Sequence, residues 1–158
     1  MMLKVNISTQ IMSLYDKDNK IAEYLISTAK NGAGEMINSE QTPRGLHIIR
    51  AKIGAHCSHN TVFVNRRPTG EIFNMDLRIK YPTRDWILTR IFWLSGLEIG
   101  KNRLGNVDTM RRYIYIHGSP DDVAMGIPGS RGCIRMRNDH VAELFDKIPI
   151  GARLLITE

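Results

Sequence analysis

Short strand-like segments separated by turns recur along the whole chain, and this pattern constrains the fold most. In "RRYIYIHG", Tyr113 and Tyr115 alternate with Ile114 and Ile116, so two faces are expected, with the strand ending at Gly118. Other segments typical of strands are KVNIS (4–8), TVFV (61–64) and ARLLIT (152–157). Such a run of short strands predicts a mainly β fold.

One late segment has helical spacing instead. In "NDHVAELFDKIPIG" the apolar residues recur three and four positions apart, at Val141, Leu144, Phe145 and Ile148. Asn138 or Asp139 can cap the start, Lys147 suits the last turn, and Pro149 ends the helix. The sequence therefore predicts a β-sandwich or barrel with a short helical cap.

Three further segments give local expectations. A hairpin closing at Asp16–Asn19 is expected, with Tyr24 and Ile26 on one face of its second strand and Ile21 and Leu25 on the other. RPTG (67–70) predicts a turn. DWILTRIFWLSG (85–96) is apolar enough to be buried, but its pattern fits a strand or a short helix.

Length and charge exclude several classes of protein. The chain has 158 residues, which suits one domain over 1–158, and a net charge of +6 from scattered Lys and Arg. Scattered charge is not typical of a nucleic-acid groove. It would suit an acidic small substrate, but solubility is the simpler explanation. No stretch reaches the roughly 20 apolar residues of a membrane span.

"GSRGCIRM" (129–136) places one of two cysteines among glycines and arginines. A cysteine attacks as the thiolate, so we expect the pKa of Cys133 to be lowered by a neighbouring imidazole or cation. His117, at the end of a strand, is the natural partner, and amides near Gly132 could bind an oxyanion. Residue types alone favour a buried structural cysteine and an uninvolved histidine.

"HCSH" (56–59) offers His56, Cys57 and His59. Zinc sites need three or four ligands, and no nearby residue completes the set, so we expect a loop or cleft lining and no metal. A Cys57–Cys133 disulfide would quench the nucleophile and is not expected.

The longer pattern from Tyr113 to Ile156 closely resembles the signature of the L,D-transpeptidase catalytic domain, also called the YkuD domain. That signature is His-Gly at a strand end and, after a loop, Ser-x-Gly-Cys with an Arg two residues on; here it reads His117, Gly118, Ser130, Gly132, Cys133 and Arg135. "TPRG" (42–45) resembles the family's Thr-Pro-x-Gly turn. The family usually has His where this chain has Arg131, which suggests an altered oxyanion loop or added charge for a substrate carboxylate.

The resemblance implies a mechanism without metal or organic cofactor. Cys133 would attack the carbonyl of the third residue of a peptidoglycan stem tetrapeptide or muropeptide, and His117, oriented by the Gly118 carbonyl, would move the protons. Amides near Gly132, with Ser130 and Arg131, would form the oxyanion and substrate site. Arg135 would hold the Cys loop or meet a substrate carboxylate.

Water or an amine can resolve the resulting thioacyl-enzyme. The first residues, "MMLKVNISTQ", lack the apolar region of an export signal. We therefore expect a cytoplasmic L,D-carboxypeptidase of murein recycling, with a periplasmic L,D-transpeptidase as the alternative if a leader has been removed. A catalytically inactive binding module on the same fold is the second class of function.

Overall fold

The computed structural model describes all residues, Met1–Glu158, and contains one mixed sheet of ten strands with two α-helices. The strands are β1 Met2–Asn6, β2 Ile11–Asp16, β3 Asn19–Leu25, β4 Gly45–Ile53, β5 Thr61–Val64, β6 Arg67–Ile72, β7 Ile87–Gly96, β8 Tyr115–Ser119, β9 Ile134–Arg137 and β10 Arg153–Thr157. The helices are α1 Met75–Lys80 and α2 Asn138–Lys147. Neither helix has the length and apolar character needed to cross a membrane.

The sheet curls into a half-barrel, so the mainly β prediction is confirmed. Its strand order is β3-β2-β1-β10-β4-β7-β5-β6, and β8 and β9 extend from β7 as a branch. The pairs β1–β10 and β8–β9 are parallel, and the other pairs are antiparallel. The β8–β9 branch matters for function, because it holds the residues that the sequence analysis singled out.

Helix α2 covers the inner face of the curled sheet near this branch. Its predicted apolar face is confirmed, since all four of its members are buried in the main core: Val141, Leu144, Phe145 and Ile148. Burying each such side chain stabilises the fold by about 1.5–3 kcal/mol. The predicted cap is wrong. Arg137 holds the N-cap position without a side-chain bond, and the Asn138 side chain instead bonds to Thr89 and Asn60.

Tertiary contacts explain the other local differences. The 85–96 segment is strand β7, with both faces buried along most of its length. RPTG belongs to strand β6, not to a turn, because the chain reverses two residues earlier, at Asn65 and Arg66. Strand β8 begins at Tyr115, whereas Tyr113 lies before it with a positive φ of 57° and cannot continue its face. The β2–β3 hairpin has the predicted ends and faces.

Candidate active site

Two adjacent parallel strands bring Cys133 and His117 to one cavity. His117 lies in β8 opposite Arg135 of β9, and Cys133 directly precedes Ile134, the first residue of β9. Both side chains line a cavity of about 250 Å³. The short strand β9 lies between Cys133 and helix α2. This strand was missed because four residues between a glycine-rich loop and a helix are too short a run to be recognised, although Ile134–Arg137 alternates between apolar and charged residues.

The His117 ring is held in one tautomer. Its Nδ1 lies 2.7 Å from the carbonyl oxygen of Gly118, which can only accept, so Nδ1 carries the proton. Nε2 is then the unprotonated nitrogen, and it has no hydrogen-bond partner in the protein. Burial lowers the pKa of His117 below its ordinary value, while Asp85 opposes the shift. A neutral imidazole with a free Nε2 lone pair can accept a proton from a group in the cavity.

Gly118 is required by packing. An added Cβ would collide with the Asn138 side-chain oxygen and would lie 2.7 Å from the carbonyl oxygen of Leu88 on β7. Any larger residue would push β8 away from β7 and move the carbonyl that orients His117. A glycine follows the histidine because β8 lies too close to β7 and to helix α2 for any side chain at position 118.

The thiol of Cys133 is held by backbone groups. The Tyr115 N–H donates to Sγ at 3.3 Å, and Sγ lies 3.5 Å from the carbonyl oxygen of Tyr113. Burial raises the pKa of the Cys133 thiol to about 12, and the Tyr115 N–H offsets only part of this. The expectation of a lowered pKa for Cys133 is therefore wrong. The resting pair is a neutral thiol and a neutral imidazole, because low polarity disfavours both charged forms.

Internal hydrogen bonds hold the loop before Cys133. Ser130 Oγ donates to the Cys133 carbonyl oxygen at 2.6 Å and accepts from Gly132 N–H at 3.1 Å. Thr42 Oγ1 donates to the Gly132 carbonyl oxygen at 2.9 Å, which links the TPRG turn to this loop. Gly132 has a φ of 132°, a conformation that L side chains rarely adopt.

These bonds correct two predicted contacts. Ser130 lines the cavity, but its hydroxyl is used within the loop and does not face a substrate. The Gly132 N–H is also occupied, by Ser130 Oγ. The Cys133 N–H donates to no protein group and is free to bind an oxyanion.

Arg135 takes the first of its two predicted roles. Its guanidinium donates to the Gly129 carbonyl oxygen at 3.0 Å and to Asp85 Oδ1 at 3.1 Å. It thus holds the Cys loop to the segment before β7. Asp85, which lines the same cavity, was missed by the sequence analysis, because it lies far from the motif in sequence and its segment offered no site pattern.

Arg131 extends along the rim of the cavity. It is exposed, donates to the Thr83 carbonyl oxygen at 3.2 Å and has no carboxylate partner. The Arg131 side chain thus contacts the loop at Thr83 and also lines the cavity.

Two further arginines line the cavity and were missed. Arg112 donates to the carbonyl oxygen of Gln41 at 2.6 Å and to that of Gly34 at 3.3 Å, which ties it to the N-terminal loop. Arg66 reaches the cavity from the β5–β6 turn. Arg112 is adjacent to the YIYI strand and could have been considered from sequence. Arg66 carries no local signal, because only the fold brings its hairpin here.

The "HCSH" segment does not line this cavity. His56 and His59 are exposed, and no group of three potential metal ligands forms anywhere in the chain. Cys57 is half-buried and packs on a small cluster that includes Phe63 and Ile91. Both cysteines are free thiols.

Comparison with known proteins supports one family. The family model for the L,D-transpeptidase catalytic domain (YkuD) matches residues 2–156. The putative L,D-transpeptidase YkuD of Bacillus licheniformis is 28% identical over 156 residues, which covers 98% of this chain and 64% of that protein. The putative L,D-transpeptidase YqjB of Bacillus subtilis is 51% identical over 47 residues, 30% of this chain and 27% of that protein.

Solved structures share the fold. The L,D-transpeptidase from Mycobacterium smegmatis superposes with a TM-score of 0.58 at 14% identity, over 99% of this chain and 58% of that one. L,D-transpeptidase 3 from Mycobacterium tuberculosis, in complex with a faropenem-derived adduct, gives 0.61 at 13% identity, over 99% and 60%. The chain spans less than two thirds of the length of these four proteins. By the match over nearly its whole sequence, the chain belongs to the L,D-transpeptidase catalytic-domain family.

Proposed function

We propose that the chain is a cysteine-dependent L,D-carboxypeptidase that cleaves the bond between the third residue and the terminal D-alanine of peptidoglycan tetrapeptides. The observation that carries this proposal is the cavity that both the Cys133 thiol and the neutral His117 ring line, with His117 on β8 and Cys133 directly before the adjacent strand β9. Family membership supplies the substrate class. Cytoplasmic murein recycling is part of the same proposal.

The chemistry begins from the neutral pair. His117 Nε2 takes the thiol proton as Sγ attacks the acyl carbon, so the thiolate forms only when the substrate has displaced water. The developing oxyanion accepts from the Cys133 N–H. The C–N bond then breaks, and His117 returns the proton to the amine of D-alanine. Next, His117 takes a proton from water, whose oxygen attacks the thioester; tripeptide carboxylate leaves and the thiol is restored.

Charge around the cavity supports an anionic donor and a neutral acceptor. Four arginines line it, against a single carboxylate from Asp85: Arg66, Arg112, Arg131 and Arg135. This excess attracts the carboxylates of a stem peptide and disfavours an approaching ammonium group, whereas water is unaffected. Hydrolysis is therefore favoured over amine transfer in this site.

L,D-transpeptidation is the alternative, favoured by the relatives' names. The test incubates the purified protein with disaccharide tetrapeptide, with and without D-methionine, and analyses the products by mass spectrometry. Tripeptide alone in both reactions is expected. D-methionine exchanged into the fourth position, or joined peptides, would overturn hydrolysis in favour of transfer.

The two cysteines provide a matched control. Cys133→Ala is expected to abolish turnover, and Cys57→Ala is expected to retain it. We also expect a carbapenem to add its mass to the protein and to Cys57→Ala, but not to Cys133→Ala. Intact folded protein with neither turnover nor adduct would instead indicate a binding module.

A further inference from the structure

Arg66 presents a guanidinium to the cavity without a carboxylate partner. Arg135, by comparison, is paired with Asp85, and Arg112 donates to backbone carbonyl oxygens. Arg66 donates one hydrogen bond, from Nη1 to the phenol oxygen of Tyr115 at 2.9 Å. A guanidinium has five N–H donors, so most of its donors have no protein acceptor.

The hairpin that carries Arg66 holds it in an unfavourable backbone conformation. Strands β5 and β6 are joined by a two-residue turn, Asn65 and Arg66, with φ values of 50° and 64°. Such turns favour Asn and Gly, and a longer side chain at positive φ costs about 1–2 kcal/mol. A position under this strain that also faces the reacting groups is typical of a functional residue.

Aromatic rings fix the plane of the guanidinium. It lies 4.6 Å from the ring centre of Trp93 and 4.9 Å from that of Tyr113. Stacking restrains the face of the group and leaves its edge, which carries the donors, available. Arg66 is therefore prepared to form paired hydrogen bonds to a carboxylate without first losing much side-chain freedom.

Tyr115 connects this group to the nucleophile. Its backbone N–H donates to Cys133 Sγ, and its phenol oxygen, at the other end of the residue, accepts from Arg66. A carboxylate directly beside the scissile bond would stay close to Sγ. A carboxylate at the end of a long side chain on the acylated residue would extend along Tyr115 toward Arg66.

We propose that Arg66 binds the side-chain carboxylate of the third residue of the acyl donor and makes the site selective for the free acid over the carboxamide. This inference rests on the proposed function, because it concerns the donor of that reaction. A carboxylate and a carboxamide have nearly the same shape. Arg66 would distinguish them because the carboxylate is charged and both of its oxygens accept from the guanidinium, whereas the NH2 group of the carboxamide cannot accept.

The test compares three tetrapeptides: one with meso-diaminopimelate as the free acid, one amidated at its side-chain carboxylate, and one amidated at the terminal D-alanine. The ratio of kcat/KM between the first two is measured for the unchanged protein, Arg66→Gln, Arg66→Lys and Arg67→Gln. Arg67 is exposed on the same hairpin and does not line the cavity, so Arg67→Gln loses the same charge without the proposed contact. Thermal unfolding checks that each variant is folded.

The unchanged protein and Arg67→Gln are expected to favour the free acid by about tenfold or more. Arg66→Gln is expected to bring the ratio close to one, and Arg66→Lys to give an intermediate value, since it retains charge but not the forked donors. The inference would be overturned if the unchanged protein gave a ratio of one, or if folded Arg66→Gln kept the ratio of the unchanged protein. Sensitivity to the D-alanine amide instead would assign Arg66 to the other carboxylate and would also overturn it.

A binding measurement separates this inference from the proposed function. In Cys133→Ala, calorimetry with the free-acid and amidated tripeptides is expected to show the same preference, and Arg66→Gln in that background is expected to remove it. Selective binding without turnover of any tetrapeptide would reject the carboxypeptidase and retain the Arg66 site. Turnover of the tetrapeptides with no difference in binding or rate between free acid and amide would retain the carboxypeptidase and reject the Arg66 site.

Discussion

At the residue scale, the reactive pair could be identified from sequence, but its protonation could not. Glycine, serine and arginine around Cys133 pointed to a nucleophile, and these groups are at the site. The pKa of a thiol depends on what excludes water from it, however, and the residues that bury Cys133 come from strands distant in sequence. The nearby arginines are engaged elsewhere, so they offset the desolvation only in part.

This protonation state predicts an unusual pH profile. Because the pKa of the Cys133 thiol is about 12, alkylation by iodoacetamide is expected to be slow at pH 7 and to rise without a plateau to pH 10. Cys57→Ala serves as the background, so that one thiol is measured. Since burial lowers the pKa of His117, the acid limb of kcat/KM is expected below pH 6.5. A plateau near pH 7–8 would instead show a preformed thiolate.

At the element scale, the local sequence pattern predicted a strand or helix correctly where contacts with the rest of the fold favour the same element. The β2–β3 hairpin, β5, β10 and α2 are examples. The failures lie where distant contacts decide, as at Tyr113, which leaves the strand pattern to border the cavity, and at Asn138, whose side chain bonds across to β7 instead of capping α2. The Cys loop depends in the same way on Thr42, which is far from it in sequence.

Thr42 provides a test of this dependence. It is fully buried, donates to the Gly132 carbonyl oxygen and accepts from Ala29 N–H at 3.0 Å. Thr42→Val leaves both partners unsatisfied, and we expect it to lower the free energy of unfolding by about 1–3 kcal/mol. We also expect kcat/KM to fall by about tenfold or more, since the loop that positions the thiol loosens.

Urea denaturation and steady-state kinetics measure the two effects. Thr42→Ser keeps the hydroxyl and is the matched control, expected to retain most of both quantities. Full activity in Thr42→Val would show that the loop is held without this bond.

At the scale of the whole molecule, the recurrence of short strands predicted the fold class, but it did not predict the curl of the sheet or its branched strand order. Strand pairing links segments far apart, and local alternation carries no information about partners. The same limit hid Asp85 and Arg66. Asp85 lies just before β7, which pairs with β8, and Arg66 lies in the β5–β6 turn, which reaches the cavity because β5 pairs with β7. The fold and the site are therefore hardest to predict where strands that are far apart in sequence pair with one another.

His47 predicts how the stability of the whole fold depends on pH. It is fully buried in β4, and burial lowers its pKa to about 4. A histidine with a lowered native pKa binds its proton more readily in the unfolded chain, so its stabilising effect is complete above pH 6.5 and is lost as pH falls toward 4. The loss is expected to reach about 3 kcal/mol.

Urea denaturation at pH 7 and pH 4 measures this loss. In His47→Gln the difference between the two pH values is expected to be smaller by that amount, even if the variant is less stable throughout. An equal difference in both proteins would assign the acid sensitivity to other groups.

The central place of β10 has a consequence for how the chain reaches this structure. In the sheet, Arg153–Thr157 lies between β1 and β4 and is the strand that joins the β1–β3 ladder to the rest. The strand that comes last in this order of elements thus completes the middle of the sheet, and contacts of such long sequence separation form slowly. During folding, the β1–β3 ladder and the part of the sheet that contains β4 would stay unjoined until β10 pairs with both.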